Sequence, residues 1–210
     1  MIRLLLLTTL IIPGLAASQD VGREPVLLIL GDSLSASYGI DQERGWVSLL
    51  EARLRDQGLP QRIINASISG ETTAGGVTRL AALLEQHRPT ILLIELGAND
   101  GLRGMAFERI RDNLTEMIAL GHAAGSQVVL ASVRLPPNYG AAYTEGFQAV
   151  FRDIATEQSI PLIEDFLAGV AQDRALMQAD TIHPTAAAQP LILENVWPTL
   201  EPLLRADRGT

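Results

Sequence analysis

Ser33 lies in Gly31-Asp32-Ser33-Leu34-Ser35, directly after the apolar run 25–30. A hydroxyl at such a turn can cap the following helix, or it can attack a carbonyl while its own backbone N–H stays free to donate. The G-x-S-x-G elbow of α/β-hydrolases is absent because position 35 is serine, so a nucleophile here would sit on a different turn. It would need a base that is neutral near pH 7, and the chain has three histidines, His87, His122 and His183. His87 and His122 fall near the ends of helical patterns, where imidazoles bond terminal carbonyls and complement the helix dipole. His183 follows Asp180 by three residues in Asp180-Thr181-Ile182-His183-Pro184. In one turn such a carboxylate can reach Nδ1, fix the tautomer and stabilise the imidazolium, leaving Nε2 to face the serine. Without the serine, the same D-x-x-H is equally a helix-entry loop.

Two further segments offer donors to an oxygen that gains charge: 65–70 (NASISG) and 97–100 (GAND). Gly70 lets a backbone N–H approach closely, and the Asn99 amide can donate from a fixed position, so both suit an oxyanion hole with the Ser33 N–H. Each alone is also an ordinary turn residue. Asp32, Glu95 and Asp100 read as acceptors that order these loops.

These groups can meet only if the intervening chain brings four loops to one edge. Apolar runs at 25–30, 61–66, 90–96, 127–133 and 161–163 read as strands, the last one short. Helical spacing is evident at 45–57 and 76–87. Over 106–123 it places Phe107, Ile110, Leu114, Met117 and Ile118 on one face. A fourth helix is expected at 141–158, and a last one begins after Pro184 and reaches Leu204, with Pro190 and Pro198 bending or interrupting it. Strands alternating with long helices predict a three-layer α/β/α sandwich with a five-stranded, mainly parallel sheet. Ligands of such sheets bind beyond the carboxyl ends of the strands, where all four loops begin.

At 210 residues the chain suits one domain, and its net charge of −8 argues against a nucleic-acid partner. Residues 1–18 carry Arg3, an apolar run from Leu4 to Pro13 and then small residues, the pattern of a secretory signal. The run is shorter than the roughly 20 residues of a membrane span, so cleavage would leave residues 19–210 as a periplasmic or secreted domain without a stable anchor. With no cysteine there is neither a disulfide framework nor a thiolate metal site.

The four blocks Gly31-Asp32-Ser33-Leu34, Gly70, Gly97-x-Asn99-Asp100 and Asp180-x-x-His183 resemble those of the SGNH hydrolases, also called GDSL-type esterases. The segments LILGDSLSASYGI, NASISGET, LIELGANDGLRG, RLPPNYG and IHPTAAAQP extend the similarity to the bacterial multifunctional thioesterase, lysophospholipase and protease enzymes of that family. The resemblance implies a flavodoxin-like fold and hydrolysis of acyl esters and thioesters without cofactor or metal. It implies Ser33, His183 and Asp180 as triad, and Ser33, Gly70 and Asn99 as oxyanion hole. Leu102, Met105, Leu135, Pro136 and Tyr139, just after the third and fourth strands, are the expected acyl-chain contacts, with core packing as the other reading of each. Fatty-acyl esters, thioesters and lysophospholipids are the expected substrates, and a monomer is expected. A carbohydrate acetyl esterase of the same family is the alternative, with two more distant readings behind it. One is a metal-dependent phosphoesterase built on Asp32, Asp100, Asp180 and His183, and the other a non-catalytic flavodoxin-like binding domain with 33–37 cradling a phosphate. Ala98 and Thr181 depart from the family, whose members often carry glycine at both positions.

Overall fold

The computed structural model describes residues 24–207, so the expected signal segment 1–18 lies outside the described residues. The chain runs β1 (Val26–Gly31), α1 (Trp46–Asp56), β2 (Arg62–Asn65), α2 (Thr73–His87), β3 (Ile91–Glu95), a short α3 (Ala98–Leu102), α4 (Phe107–Ala123), β4 (Gln127–Ala131), α5 (Ala141–Gln158), β5 (Leu162–Ile163) and α6 (Gln189–Ala206). The five strands are ordered 2-1-3-4-5. Every pairing is parallel, so the sheet is wholly rather than mainly so.

All residues of β1 and β3 are buried, as expected for continuous apolar runs covered on both faces. Their side chains alternate between two cores. Leu27, Ile29, Ile91, Leu93 and Val129 pack with Trp46, Leu50 and Leu54 of α1 and Ile192, Val196 and Leu200 of α6. Leu28, Leu30, Leu92, Ile94 and Val128 pack on the other face with α2, α4 and α5. Ile110, Leu114, Met117 and Ile118 of α4 are all buried there, as their spacing predicts. Each such side chain contributes about 2 kcal/mol by leaving water.

Two helix boundaries differ from the sequence reading. α2 starts at Thr73 rather than 76, because the Thr72 hydroxyl caps it through the Gly75 N–H at 3.3 Å and the helix accommodates Gly75 and Gly76. α6 is not interrupted. Pro190 falls in its first turn, where no N–H is needed, and the helix runs on through Pro198 and Pro202. Both prolines are exposed, so water can serve the freed carbonyls, while burial of the opposite stripe outweighs their cost of about 3 kcal/mol each.

The strand order fixes where a ligand can sit. The chain leaves β1 towards β2 on one side and leaves β3 towards β4 on the other, so the loops after β1 and β3 part and open a crevice between them. Gly31 and Glu95, the last residues of these strands, are partners in register. Ser33 and Asn99 follow each by a few residues.

Candidate active site

Ser33 begins a tight turn in which the Ala36 N–H donates to the Asp32 carbonyl (2.9 Å) and the Tyr38 N–H to the Ser33 carbonyl (3.1 Å). Asp32 shapes this turn from beneath, its Oδ1 accepting the Leu34 N–H at 3.0 Å. Its Oδ2 accepts the Asn99 side-chain amide at 2.9 Å, which fixes that amide beside the serine loop and leaves its second hydrogen free of this bond. Glu95 lies under the same turn, accepting the Asp32 N–H at 3.3 Å and the Ser35 hydroxyl at 2.8 Å.

Asp32 and Glu95 are two carboxyls in one buried spot. Burial pushes Asp32 up to about 6 against the hydrogen bond from Leu34, the positive charge available at His183 and the bond from Asn99. Glu95 is pushed well above the usual range by burial and then by the charge of Asp32. Asp100 caps α2 from a distance in sequence, accepting the Thr73 N–H at 2.9 Å and its hydroxyl at 2.6 Å. The three carboxyls are thus the ordering acceptors the sequence suggests.

His183 and Asp180 come from a loop ahead of α6. The Asp180 Oδ1 accepts the Ile182 and His183 N–H groups, each at 3.0 Å, while Oδ2 lies 2.6 Å from His183 Nδ1. These bonds, the one to the His183 ring first, hold the Asp180 carboxyl down at about 2. Nε2 lies 2.9 Å from Ser33 Oγ, completing a line from carboxylate through imidazole to hydroxyl. Thr181, between the two acidic and basic groups, has φ +60°, a conformation that costs a β-branched residue on the order of 1 kcal/mol and that glycine would adopt freely. Tyr38 lays its ring on His183 at 4.3 Å between centroids.

Gly97 sets the direction of the third loop. Its φ is +115°, and a Cβ there would stand 2.9 Å from the Phe151 ring, so only glycine allows β3 to turn directly into α3 and present Asn99. Gly70 lies in the loop before α2, its carbonyl accepting from Arg103 at 3.2 Å. That loop is tied to the first one by the Asn65 amide, which donates to the Ser35 carbonyl at 2.8 Å.

A cavity of about 740 Å³ opens at Ser33, Asn99 and His183. Leu102, Leu135 and Pro136 line it. Met105 and Tyr139 are not in its lining: Met105 packs against the core on the α2, α4 and α5 face, and the exposed Tyr139 donates its hydroxyl to the Leu102 carbonyl at 2.9 Å and stacks on Tyr143. The lining also includes Leu167, Ala171 and Met177, which the sequence does not single out, and Ile182 from the Asp180–His183 segment. Leu167, Ala171 and Met177 follow the two-residue β5 in a stretch with little regular structure, and only their position before the Asp180 loop could have pointed to them. His87 closes α2 and His122 lies in the last turn of α4, in the end positions anticipated for them.

The arrangement can pass a proton from a hydroxyl to an imidazole backed by a carboxylate, next to a largely apolar cavity. The sequence profile described as the GDSL-like lipase/acylhydrolase family matches residues 29–190. The chain is 52% identical over 178 residues to the esterase TesA of Pseudomonas aeruginosa, an alignment spanning 85% of this chain and 89% of the relative. It is 41% identical over 181 residues to the thioesterase 1/protease 1/lysophospholipase L1 of Escherichia coli, covering 86% of each. The crystal structure of the psychrotrophic esterase EstA from Pseudoalteromonas, inhibited by monoethylphosphonate, superposes with a TM-score of 0.82 at 43% identity, over 86% of this chain and 98% of that one.

Proposed function

The chain belongs to the GDSL-like lipase/acylhydrolase family, and we propose that it cleaves acyl esters and thioesters with Ser33 as nucleophile, His183 as base and Asp180 as orienter. The observation that carries the roles is the continuous line Asp180 Oδ2, His183 Nδ1, His183 Nε2, Ser33 Oγ at 2.6 and 2.9 Å. In the first step Ser33 Oγ bonds to the acyl carbon as its proton moves to His183 Nε2, and Asp180 stabilises the imidazolium. The carbonyl oxygen takes the negative charge and is met by the Ser33 and Gly70 N–H groups and the Asn99 amide. The tetrahedral centre collapses, the imidazolium gives its proton to the departing alcohol or thiol, and an acyl-serine remains. Water then gives a proton to His183 and adds to the acyl carbon, and collapse frees the acid and returns the proton to Ser33.

The apolar walls favour an acyl chain over a sugar, and about 740 Å³ lies within the roughly 300–1,000 Å³ of small-molecule sites. Fatty-acyl esters, acyl thioesters and lysophospholipids fit that description, and the names of the relatives, esterase and thioesterase/lysophospholipase, support it. All the groups invoked come from one chain. Arg3 and the apolar run after it support export to the periplasm or medium, and among the described residues no helix is long and apolar enough to cross a membrane.

A fluorophosphonate probe applied with and without chelator tests the reaction class. Covalent labelling that survives chelation is expected. No labelling would favour either metal-assisted chemistry, in which water rather than a side chain attacks, or a binding domain.

A further inference from the structure

The nucleophile and its base lie 150 residues apart in sequence, on loops that leave opposite ends of the chain, and a 2.9 Å hydrogen bond between them requires those loops to be held in register. A single side-chain amide joins them. Gln178 Nε2 donates to the Tyr38 carbonyl at 2.8 Å, in the Ser33 turn, and to the Pro184 carbonyl at 2.9 Å, next to His183. The amide uses both of its hydrogens, one on each loop.

The main chain of Gln178 is committed to the same task. Its N–H donates to the His183 carbonyl at 2.8 Å, and its carbonyl accepts the Thr181 N–H at 3.0 Å, closing the turn that carries Asp180. Met177 and Pro184 form an antiparallel bridge, and the Thr185 N–H donates to the Leu176 carbonyl at 2.7 Å, so residues 176–185 make a short hairpin with Asp180 and His183 in its tip. Gln178 stands opposite His183 where the hairpin enters its tip. On the other side the Ser33 turn is shaped to receive it, since Gly39 has φ +74° and a Cβ there would lie 2.3 Å from the Gln178 Oε1. Any residue but glycine at 39 would expel the amide or break the turn.

We propose that Gln178 is a positioning residue, one whose amide clamps the Ser33 turn to the His183 hairpin and so sets the Ser33–His183 hydrogen bond. The proposal rests on the triad reading given above. Tyr38 completes the clamp, because the residue whose carbonyl Gln178 holds is also the one whose ring lies on the His183 imidazole. Fixing one fixes the other. Gln178 touches neither of the reacting groups through its side chain, and its effect is on where the base stands when the serine must lose its proton.

Gln178→Met keeps an unbranched stem of similar length and removes both donors. With a short p-nitrophenyl ester it should lower kcat by about tenfold or more while KM changes less than about twofold, since small displacements of a base from its nucleophile are costly to the chemical step. Circular dichroism and thermal melting establish folding in the same samples. If Gln178→Met does not fold, Gln178→Asn, which keeps the amide but is one methylene too short to span both carbonyls, decides by the same criterion. A purely structural role would lower the melting temperature and leave kcat of the folded enzyme alone. A folded variant with kcat within about twofold of wild type, or with a loss confined to KM, overturns the proposal. Ser33→Ala is run alongside: if it is inactive while the Gln178 variants are unimpaired, the clamp fails and the triad stands, whereas an active Ser33→Ala enzyme fails the triad itself.

Discussion

Replacing Asp32 by asparagine separates what the buried carboxyl costs from what it does. In the native protein this group is held up to about 6, against an ordinary value of 3.8, with burial as the largest cause. Two pH units at about 1.4 kcal/mol each put the native-state cost of ionising it at no more than about 3 kcal/mol. The sign follows from proton counting. Between pH 3.8 and about 6 the native protein holds a proton that the unfolded chain has released, so stability falls as pH rises through that window and the full cost is present above it. Glu95, pushed up by burial and by Asp32, acts in the same direction, and its share shrinks when the neighbouring charge is removed. Asp180 acts oppositely, stabilising above 3.8 and ceasing to do so only as pH falls through about 2, which leaves the window to the buried pair. Urea unfolding of wild type and Asp32→Asn at pH 4, 5, 6 and 7 should therefore give curves that diverge, the variant gaining on the wild type by up to about 3 kcal/mol towards neutral pH. Activity should move the other way. An asparagine offers one acceptor oxygen for the Leu34 N–H and the Asn99 amide together, so kcat should fall even where the variant is relatively more stable. Parallel stability curves from pH 4 to 7 would refute the ionisation argument, and an undiminished kcat would refute the role of the Asp32–Asn99 bond.

Asn99→Ala should remain folded and react slowly, with kcat reduced by about 10² to 10³ and KM changed much less, because the amide meets charge that exists only in the transition state. Steady-state kinetics on a p-nitrophenyl ester measure it, and a near wild-type kcat would remove the asparagine from the oxyanion hole. Asp180→Asn should lower kcat by about 10⁴, the effect of the equivalent change in a comparable triad, at every pH from 5 to 9. The Asp180 carboxyl, held at about 2, stays ionised throughout that range and so adds no step of its own to the pH profile there. A pH profile of kcat/KM that is flat from 5 to 8, with chemistry rate-limiting, would contradict a histidine base.

The sheet and its helices were legible because their signal is local. Runs such as VLLIL and ILLIE are apolar at every position, and α4 repeats its apolar residues at helical spacing, so each element announces itself within its own length. The candidate site residues are legible too, since Gly31-Asp32-Ser33, Asn99 and Asp180-x-x-His183 each stand at a strand end or helix entry where the strand order brings loops together. Less legible were boundaries decided by side chains, such as the Thr72 cap that extends α2 over two glycines, and the continuation of α6 through two exposed prolines, which depends on the stripe it buries. The cavity lining is legible only in part for the same reason. Leu102, Leu135 and Pro136 follow recognisable strands, while Leu167, Ala171 and Met177 come from irregular chain that carries no periodic pattern. Gln178 carries no pattern of its own, and its partners Tyr38 and Pro184 become neighbours only in the folded chain.

Every step of the proposed reaction depends on the Ser33 hydroxyl. Ser33→Ala changes little volume at a half-buried turn whose main-chain bonds do not involve the side chain, so the purified variant should show wild-type circular dichroism. Its turnover of a p-nitrophenyl ester should be lower by about 10³ or more, as losing such a nucleophile commonly costs orders of magnitude. A folded Ser33→Ala enzyme that keeps more than about a tenth of wild-type turnover would contradict the mechanism.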